Sequence, residues 1–317
     1  MLLVHKSSPF GDDPTNPTTE AELKEMNLKR PLFFLISVFF LSAILSFSSA
    51  RGESTELNMV FVPASEKGDE SDYLSLIAIV EDLTGFQIRP IKVTDYNAAV
   101  EAMRAGRAEI AWFGGKTYIV AAEIADAEAF AAGIRKGDKD ATYLTYFVVP
   151  KESPITTLDD VRGTIIALNN IGSTSGDLIP QVELATIGLS LTNDDHFEHV
   201  FYAGSHDACL LSVINSHADV CAMSSRNFDA RLADRTFERS QVRIIHSSAP
   251  VPPPPLAYST KLPLEVRNRI KSAVLEAHKH GRIGGYGGEM ERYVEVKDSD
   301  YDVLRAVDKQ LKKIQSQ

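Results

Sequence analysis

The sequence has few positive charges and few cysteines. Its 33 Lys and Arg against 43 Asp and Glu give a formal net charge of −10, so it offers no basic face for nucleic-acid binding. No cysteine directly follows the apolar N-terminal run, which argues against a lipid anchor. The chain also lacks internal repeats and long low-complexity tracts. Its 317 residues leave room for one large or two medium domains.

The N-terminal segment has the composition of a secretory signal peptide. Lys29 and Arg30 precede the apolar run 31–47, and the small residues 48–50 follow it. We therefore expect export to the periplasm with cleavage after Ala50, rather than a retained membrane anchor. Residues 1–25 are polar and do not resemble the start of a signal peptide, so we expect translation to begin at Met26.

The two cysteines lie in different kinds of segment. Cys209 falls in a helical pattern and Cys221 in a strand-like one, both among small apolar residues. Export permits a disulfide. Buried free thiols are the expected state, and pairing stays open at this point.

Strand-like and helical segments alternate after residue 51, which predicts an α/β fold with mostly parallel sheets. The pattern restarts near Lys151, and a proline-rich segment follows at 250–255. We therefore divide the chain into an N-terminal extension and signal peptide (1–50), a first part of lobe one (51–150), lobe two (151–250), and a second part of lobe one with the C-terminal helices (251–317). Hinges near 149–151 and 248–251 would close the lobes on a ligand.

The turn GSTSG, at 172–176, joins a strand-like segment to a helical one. A nucleophile elbow reads G-x-S-x-G, whereas the central residue here is Thr174. Ser173 or Ser175 with His206 and Asp207 would make a hydrolase triad in which base and acid are adjacent in sequence, where side chains usually diverge. We therefore expect no catalytic residues and no enzyme.

The same turn fits an anion-binding site better than a catalytic site. A helix start exposes backbone N–H groups at the positive end of its dipole, and three hydroxyls add donors. The turn is not a P-loop, because no Lys-Ser/Thr pair ends it. An ordinary serine cap is the alternative.

Two further junctions between strand and helix carry donors. The segment 204–214 (GSHDACLLSVI) has His206 at its helix start, and 112–122 (WFGGKTYIVAA) has Thr117 and Tyr118. Three such junctions can converge on one small anion, where dipoles and neutral donors replace charged groups. A histidine that only caps its helix is the alternative for His206.

These motifs together resemble a known family. The segments DYNAAVEAMRAGRAEIAWFGGKTYIVAA, GSTSGDLIPQ and AGSHDACLLSVINSHADVCAMSSRN are similar in order and spacing to those of phosphonate/phosphite ABC-transporter substrate-binding proteins. The resemblance covers nearly all of 57–310. It implies a two-lobed type II periplasmic binding protein, each lobe a mostly parallel sheet flanked by helices, with a ligand in the cleft between the lobes.

The resemblance also implies a set of ligand-binding residues. The tetrahedral head of the ligand would be held by the hydroxyl turn, a histidine, two tyrosines and the junction of lobe one. The corresponding residues here are Ser173, Thr174, Ser175, His206, Tyr96, Tyr143, Thr117 and Tyr118. No cofactor is implied; an ABC permease in the inner membrane is the implied partner, and a monomer the default state.

Two departures from the family bear on the ligand. Members that bind aminoalkyl phosphonates place two acids against the ammonium group; here Arg226 takes one place, and the loop VPPPPLAY has no acid at the other. An unpaired buried ammonium is costly. We therefore expect phosphite, methylphosphonate or another short amine-free phosphonate. Arg226 would pair with a ligand carboxylate or close a salt bridge between the lobes, and a solvated surface arginine is the alternative.

Phosphate differs from phosphite by a hydroxyl in place of a P–H. An apolar or aromatic wall would reject that hydroxyl, and Tyr96, Tyr143 or Trp112 could form it. His196 and His199 are spaced for opposite faces of a strand, so we expect no metal site. Alternatives on the same scaffold are a sensor that presents its ligand to a membrane kinase and a binder of another small molecule, such as a thiamine precursor or a sulfonate.

Overall fold

The computed structural model describes residues 55–65, 69–193 and 195–315. The signal peptide expected at 26–50 and the start expected at Met26 lie outside these residues. Within the described ranges, no helix combines the length and apolar character needed to cross a membrane.

The first part of the chain alternates strands with helices. These elements are β1 (Glu56–Phe61), α1 (Asp69–Thr84), β2 (Gln87–Lys92), α2 (Tyr96–Arg104), β3 (Ile110–Trp112), α3 (Gly115–Ile124) and β4 (Ala127–Arg135). Helix α2 shows how local sequence sets them. The Asp95 side chain accepts the Ala98 N–H at 2.8 Å as the cap, and Tyr96, Ala99 and Met103 form one buried face.

The middle of the chain builds a second sheet with its own helices. Its elements are β5 (Thr145–Pro150), β6 (Ile165–Leu168), a π-helical turn (Thr174–Leu178) continuing into α4 (Ile179–Thr186), β7 (His199–Tyr202), α5 (His206–Ile214), β8 (Val220–Ser224), α6 (Ser225–Ala233) and β9 (Val242–Ser247).

The last part adds three strands that the sequence pattern did not predict. Its elements are β10 (Leu256–Ser259), α7 (Leu264–Glu276), β11 (Ile283–Gly285), β12 (Gly288–Glu295) and α8 (Asp302–Gln315). Strand β10 directly follows a run of prolines, and such a run is typical of a linker rather than of a strand. Strands β11 and β12 form a hairpin whose turn uses Gly287 and Gly288 at φ of +83° and +124°, a backbone region that favours glycine.

Two sheets result, in the orders β11-β12-β4-β10-β3-β1-β2 and β7-β6-β8-β5-β9. They are mixed rather than mostly parallel, which corrects the expected strand direction. Parallel pairs join β1 with β2 and β3, and β6 with β7 and β8; the six other described pairs are antiparallel. Two parallel strands must be joined by a crossover connection, usually a helix in the same lobe. A strand that the chain reaches directly from the other lobe has no such connection.

The chain passes between the sheets earlier than expected. The predicted strand at 141–150 was grouped with lobe one, but β5 pairs with β8 and β9. The first crossing therefore spans 136–144, and the second spans 248–255. The two crossings pair with each other, because the backbones of Tyr143 and Val251 form an antiparallel bridge.

The five-stranded sheet is buried on both faces. Phe147 and Val149 of β5 pack in one apolar cluster and Val148 packs in the other, as strand alternation requires. Helix α5 lies on β8 and brings Cys209 and Cys221 to a Cα–Cα distance of 5.5 Å, where they form a disulfide. The expectation of free thiols was therefore wrong, because the tertiary packing of helix on strand sets that distance.

Candidate ligand-binding site

Three helix starts converge where the two lobes meet. They belong to α3 in lobe one, and to the π-helical turn and α5 in lobe two, each following a parallel strand. Ligands of open α/β sheets bind at this edge. The starts enclose one small cavity. Its lining residues are Val62, Ala64, Tyr96, Trp112, Gly114, Tyr143, Ser173, Thr174, Ser175, His206, Pro254 and Tyr286.

The hydroxyl turn supplies donors at the lobe-two side. Ser173 caps the turn, because its Oγ accepts the Gly176 N–H at 3.0 Å. Thr174 and Ser175 begin the turn, so their N–H groups have no acceptor within it and lie at the positive end of its dipole. The turn needs glycine at position 172, since a Cβ there would come within 2.3 Å of Tyr96 Cβ.

His206 is a neutral donor. It is 1% exposed, and burial lowers its pKa to about 3. Its Nδ1 accepts the Ser224 N–H at 3.3 Å, so the ring proton resides on Nε2, which lies 3.5 Å from Ser175 Oγ. A hydrolase base would need a free lone pair on Nε2. The geometry therefore opposes the hydrolase alternative.

Two tyrosines extend the ring of hydroxyls. Tyr143 is buried, which raises its pKa, and its hydroxyl interacts with the side chains of Ser175 and Thr174. Tyr96 accepts from Asn169 Nδ2 at 3.1 Å. Both tyrosine hydroxyls are buried and uncharged, so they can form hydrogen bonds with a ligand without adding charge.

Five of the other lining residues form an apolar and aromatic wall. They are Val62, Ala64, Pro254, Trp112 and Tyr286, and the rings of the last two lie 4.8 Å apart between centroids. The Tyr286 hydroxyl donates to Asn227 Oδ1. Such a wall accepts a hydrogen or methyl substituent but leaves a hydroxyl without a partner.

The lobes are closed over this cavity. Its volume is about 10 Å³, on the order of what one buried water requires. The Lys116 N–H donates to Thr174 Oγ1 at 2.8 Å, and the His206 N–H donates to the Ala64 carbonyl at 3.1 Å. Among the lining residues described, none is a lysine, an arginine or a carboxylate.

Six of the nine predicted site residues line the cavity, and three lie elsewhere. The six are Tyr96, Tyr143, Ser173, Thr174, Ser175 and His206. Thr117 donates to the Gly172 carbonyl across the lobes at 2.8 Å. Tyr118 points away and donates to Asp298 at 2.6 Å. Arg226 donates to the carbonyls of Gly133 at 3.2 Å and Ala141 at 2.9 Å. Arg226 is thus buried at the contact between the lobes, where it bonds to backbone carbonyls, and its nearest carboxylate there, Asp138, lies 4.0 Å away.

Sequence reasoning missed an ion pair next to the turn. Lys116 of α3 pairs with Asp177, which is 0% exposed and also accepts from Tyr202 Oη at 2.6 Å and Gln181 at 2.7 Å. In the sequence, Asp177 has the position of an acid that simply favours the first turn of a helix. Its partner Lys116 lies 61 residues away, so no local pattern links the two. Asn169, which contacts both Tyr96 and Ser173, was missed for the same reason.

A closed cleft between two α/β lobes, lined by neutral donors at helix starts, defines a two-lobed type II periplasmic binding protein. The family described as "ABC transporter, phosphonate, periplasmic substrate-binding protein" matches residues 59–301, and the chain belongs to this family. The resemblance read from the sequence is thereby confirmed.

Individual relatives agree with this placement. The chain is 24% identical to the "Phosphonates-binding periplasmic protein" of Escherichia coli (strain K12), over 74% of this chain and 70% of that protein. It is 26% identical to the "Phosphate-import protein PhnD" of Mycolicibacterium smegmatis, over 82% and 87%. A solved structure of PhnD1 from Prochlorococcus marinus with methylphosphonate has a TM-score of 0.69 at 19% identity, over 82% and 99%. That likeness shows the fold.

Proposed function

We propose that this protein binds phosphite or a short amine-free phosphonate such as methylphosphonate in the periplasm and delivers it to an ABC permease. The observation that carries the proposal is the make-up of the cavity lining: hydroxyl and imidazole donors from the hydroxyl turn, His206 and two tyrosines, together with apolar and aromatic groups that include Trp112. Three ligand oxygens would face the donors and the fourth substituent would face the wall.

The cavity also lacks a counter-charge for an amine. No carboxylate lines it among the described residues, and a buried ammonium without one would cost several kcal/mol. The small volume of about 10 Å³ further favours a compact fourth substituent. The relatives support the ligand class, since one was solved with methylphosphonate and one is described as a phosphate importer. Phosphate is therefore the competitor that a test must include.

Isothermal titration with four ligands tests the proposal. We expect micromolar or tighter binding of phosphite and methylphosphonate, and binding at least tenfold weaker for phosphate and 2-aminoethylphosphonate. A tenfold difference corresponds to about 1.4 kcal/mol, within the cost of an unpaired hydroxyl. Tight binding of 2-aminoethylphosphonate would contradict the argument from missing carboxylates. No heat with any of the four would favour a binder of another small molecule on this scaffold.

The remaining residues would act in closure. We propose that Thr117 and Arg226 join the lobes around the ligand, that the hinges lie in the crossings 136–144 and 248–255, and that Tyr118 supports lobe one through Asp298. The closed form is the one that a permease would distinguish from the open, unliganded form. A protein that presents its ligand to a membrane kinase would use the same closure.

A further inference from the structure

The hydroxyl turn of lobe two touches lobe one at a glycine. Gly172 lies directly before Ser173, and a Cβ at Gly172 would come within 2.3 Å of Tyr96 Cβ and 3.0 Å of Tyr96 Cγ. Tyr96 is the first residue of α2 in lobe one and is 2% exposed. The need for glycine at this position therefore arises between the lobes and not within the turn.

Neither partner in this contact yields easily. The Tyr96 Cβ is bonded directly to the backbone of α2, whose start is capped by Asp95, so rotation of the side chain does not move it. On the other side, the Ser173 N–H donates to the Asn170 carbonyl at 2.8 Å and braces the turn. Packed backbones deform little, so the contact between Gly172 and Tyr96 limits how far the lobes can close.

Two hydrogen bonds draw the lobes onto the same contact. Thr117 Oγ1 of α3 donates to the Gly172 carbonyl at 2.8 Å, and the Lys116 N–H donates to Thr174 Oγ1 at 2.8 Å. A hydrogen bond is lost beyond about 3.5 Å. Both bonds therefore form only when the lobes have closed as far as Gly172 allows.

The contact lies next to the ligand cavity. Tyr96 from lobe one and Ser173, the neighbour of Gly172, both line it. Two carbon atoms in contact are relaxed at about 3.5–4.0 Å, so Gly172→Ala would hold the lobes roughly 1–2 Å further apart at this point. The separation of the lobes at Gly172 therefore sets how much room a ligand has.

We propose that Gly172 is a specificity-determining residue: by letting lobe two close against Tyr96, it restricts the fourth substituent on phosphorus to a hydrogen or a methyl group. An ethyl or propyl group would hold the lobes apart, so its ligand would forgo the hydrogen bonds that Thr117 and Lys116 make across the lobes. The inference rests on the proposed function, because it assumes that the cavity takes a phosphorus oxyanion.

A series of ligands of increasing size tests the inference. We would measure Kd of wild type and Gly172→Ala by isothermal titration with phosphite and with methyl-, ethyl- and propylphosphonate. Wild type is expected to bind ethyl- and propylphosphonate at least tenfold more weakly than methylphosphonate. In Gly172→Ala, Kd for phosphite and methylphosphonate should rise at least tenfold, whereas Kd for ethylphosphonate should change less than about threefold. A general loss of stability would not change this ratio between ligands.

Two other glycines provide matched comparisons. A Cβ at Gly176 would come equally close, 2.3 Å, to Asn169 Cβ, but within lobe two. Gly176→Ala should therefore lower the melting temperature of the ligand-free protein more than Gly172→Ala, because opening of the lobes relieves only the contact at Gly172. Gly281→Ala lies at an exposed site in lobe one with Ile79 Cδ1 at 3.3 Å, and it should leave all four Kd values within about twofold.

Three results would overturn the inference while leaving the proposed function standing. The first is an equal rise in Kd for all four ligands in Gly172→Ala, which would mean closure without selection by size. The second is an unchanged Kd for phosphite and methylphosphonate, which would mean that the bound ligand already keeps the lobes beyond this contact. The third is a wild type that binds propylphosphonate as tightly as methylphosphonate. Failure of wild type to bind any of the four would instead overturn the proposed function.

Thr117→Val is a second variant that does not depend on the folding of Gly172→Ala. It replaces the hydroxyl that bonds to the Gly172 carbonyl with a methyl group. Ethylphosphonate would already forgo that bond, so Kd should rise for phosphite and methylphosphonate and the preference over ethylphosphonate should shrink at least threefold. An unchanged preference in this variant would contradict the inference.

Discussion

His206 illustrates how burial fixes the chemistry of a single side chain. The ring is 1% exposed, no carboxylate hydrogen bond is recorded at either ring nitrogen, and burial lowers its pKa to about 3. In the unfolded chain a histidine has a pKa near 6.5. Between those two values the unfolded state therefore binds a proton that the folded state does not, and folding stability must rise with pH.

This difference predicts a pH-dependent stability that His206 controls. As the pH falls from 6.5 toward 3, His206 should remove about 1.4 kcal/mol of unfolding free energy per pH unit. In His206→Gln that share of the slope is expected to disappear. Urea denaturation at pH 4, 5, 6 and 7 measures it. The control is His280→Gln at an exposed position; the same slope change in both variants would contradict the assignment to His206.

At the scale of elements, α3 of lobe one is joined to the π-helical turn of lobe two. Lys116 pairs with the fully buried Asp177 and also donates to the Ile171 carbonyl at 2.6 Å. The buried carboxylate is compensated by this lysine only while the lobes are closed. The pair therefore favours the closed arrangement over an open one in which water reaches Asp177.

Removing the lysine should thus weaken ligand binding more than folding. We expect Lys116→Met to raise Kd tenfold or more, mainly through faster release, because the closed state then contains an uncompensated carboxylate. Adding Asp177→Asn should restore part of the affinity. Stopped-flow measurements following the fluorescence of Trp112, the one tryptophan in the sequence, give both rates.

A surface ion pair within lobe one provides the comparison. Lys261 pairs with Asp126 at 3.0 Å on an exposed face, so Lys261→Met should leave Kd within about threefold. An equal effect of Lys116→Met and Lys261→Met would show that the Lys116–Asp177 pair has no special part in closure.

At the scale of the whole molecule, the two lobes are joined by two chain crossings that pair at Tyr143 and Val251. Tyr143 also lines the cavity, so the connection between the lobes and the ligand share one residue. A cavity of about 10 Å³ has room for about one water molecule, which is less than a phosphonate needs. Ligand entry therefore requires the lobes to open about these crossings.

This geometry predicts a change of shape on binding. Small-angle scattering of the purified protein is expected to show a smaller radius of gyration with saturating phosphite than without it, since ligand contacts from both lobes favour the closed state. A Trp112 fluorescence change should follow the same titration curve. An unchanged radius with clear binding would mean that the free protein is already closed in solution.

Several features were predictable from the sequence because they depend on neighbours along the chain. The Asp95 cap, the Ser173 cap and the donor-bearing start of α5 lie within a few residues of the groups they serve. The alternation of strands and helices, and the two-lobed class it implies, were predicted on the same basis. Strands β10 to β12 were not, because prolines and glycines there masked strand periodicity.

The sequence by itself thus determined the α/β class, the helix starts that carry donors and six of the twelve residues that line the cavity. Only the tertiary structure decided the directions of the strands, the disulfide, and the inter-lobe contacts of Lys116 and Arg226. It also decided the hydrogen bond between Asn169 and Tyr96, which lie 73 positions apart. The physical reason is distance along the chain: local signals act over a turn or two, whereas these partners meet only when two separately formed lobes close.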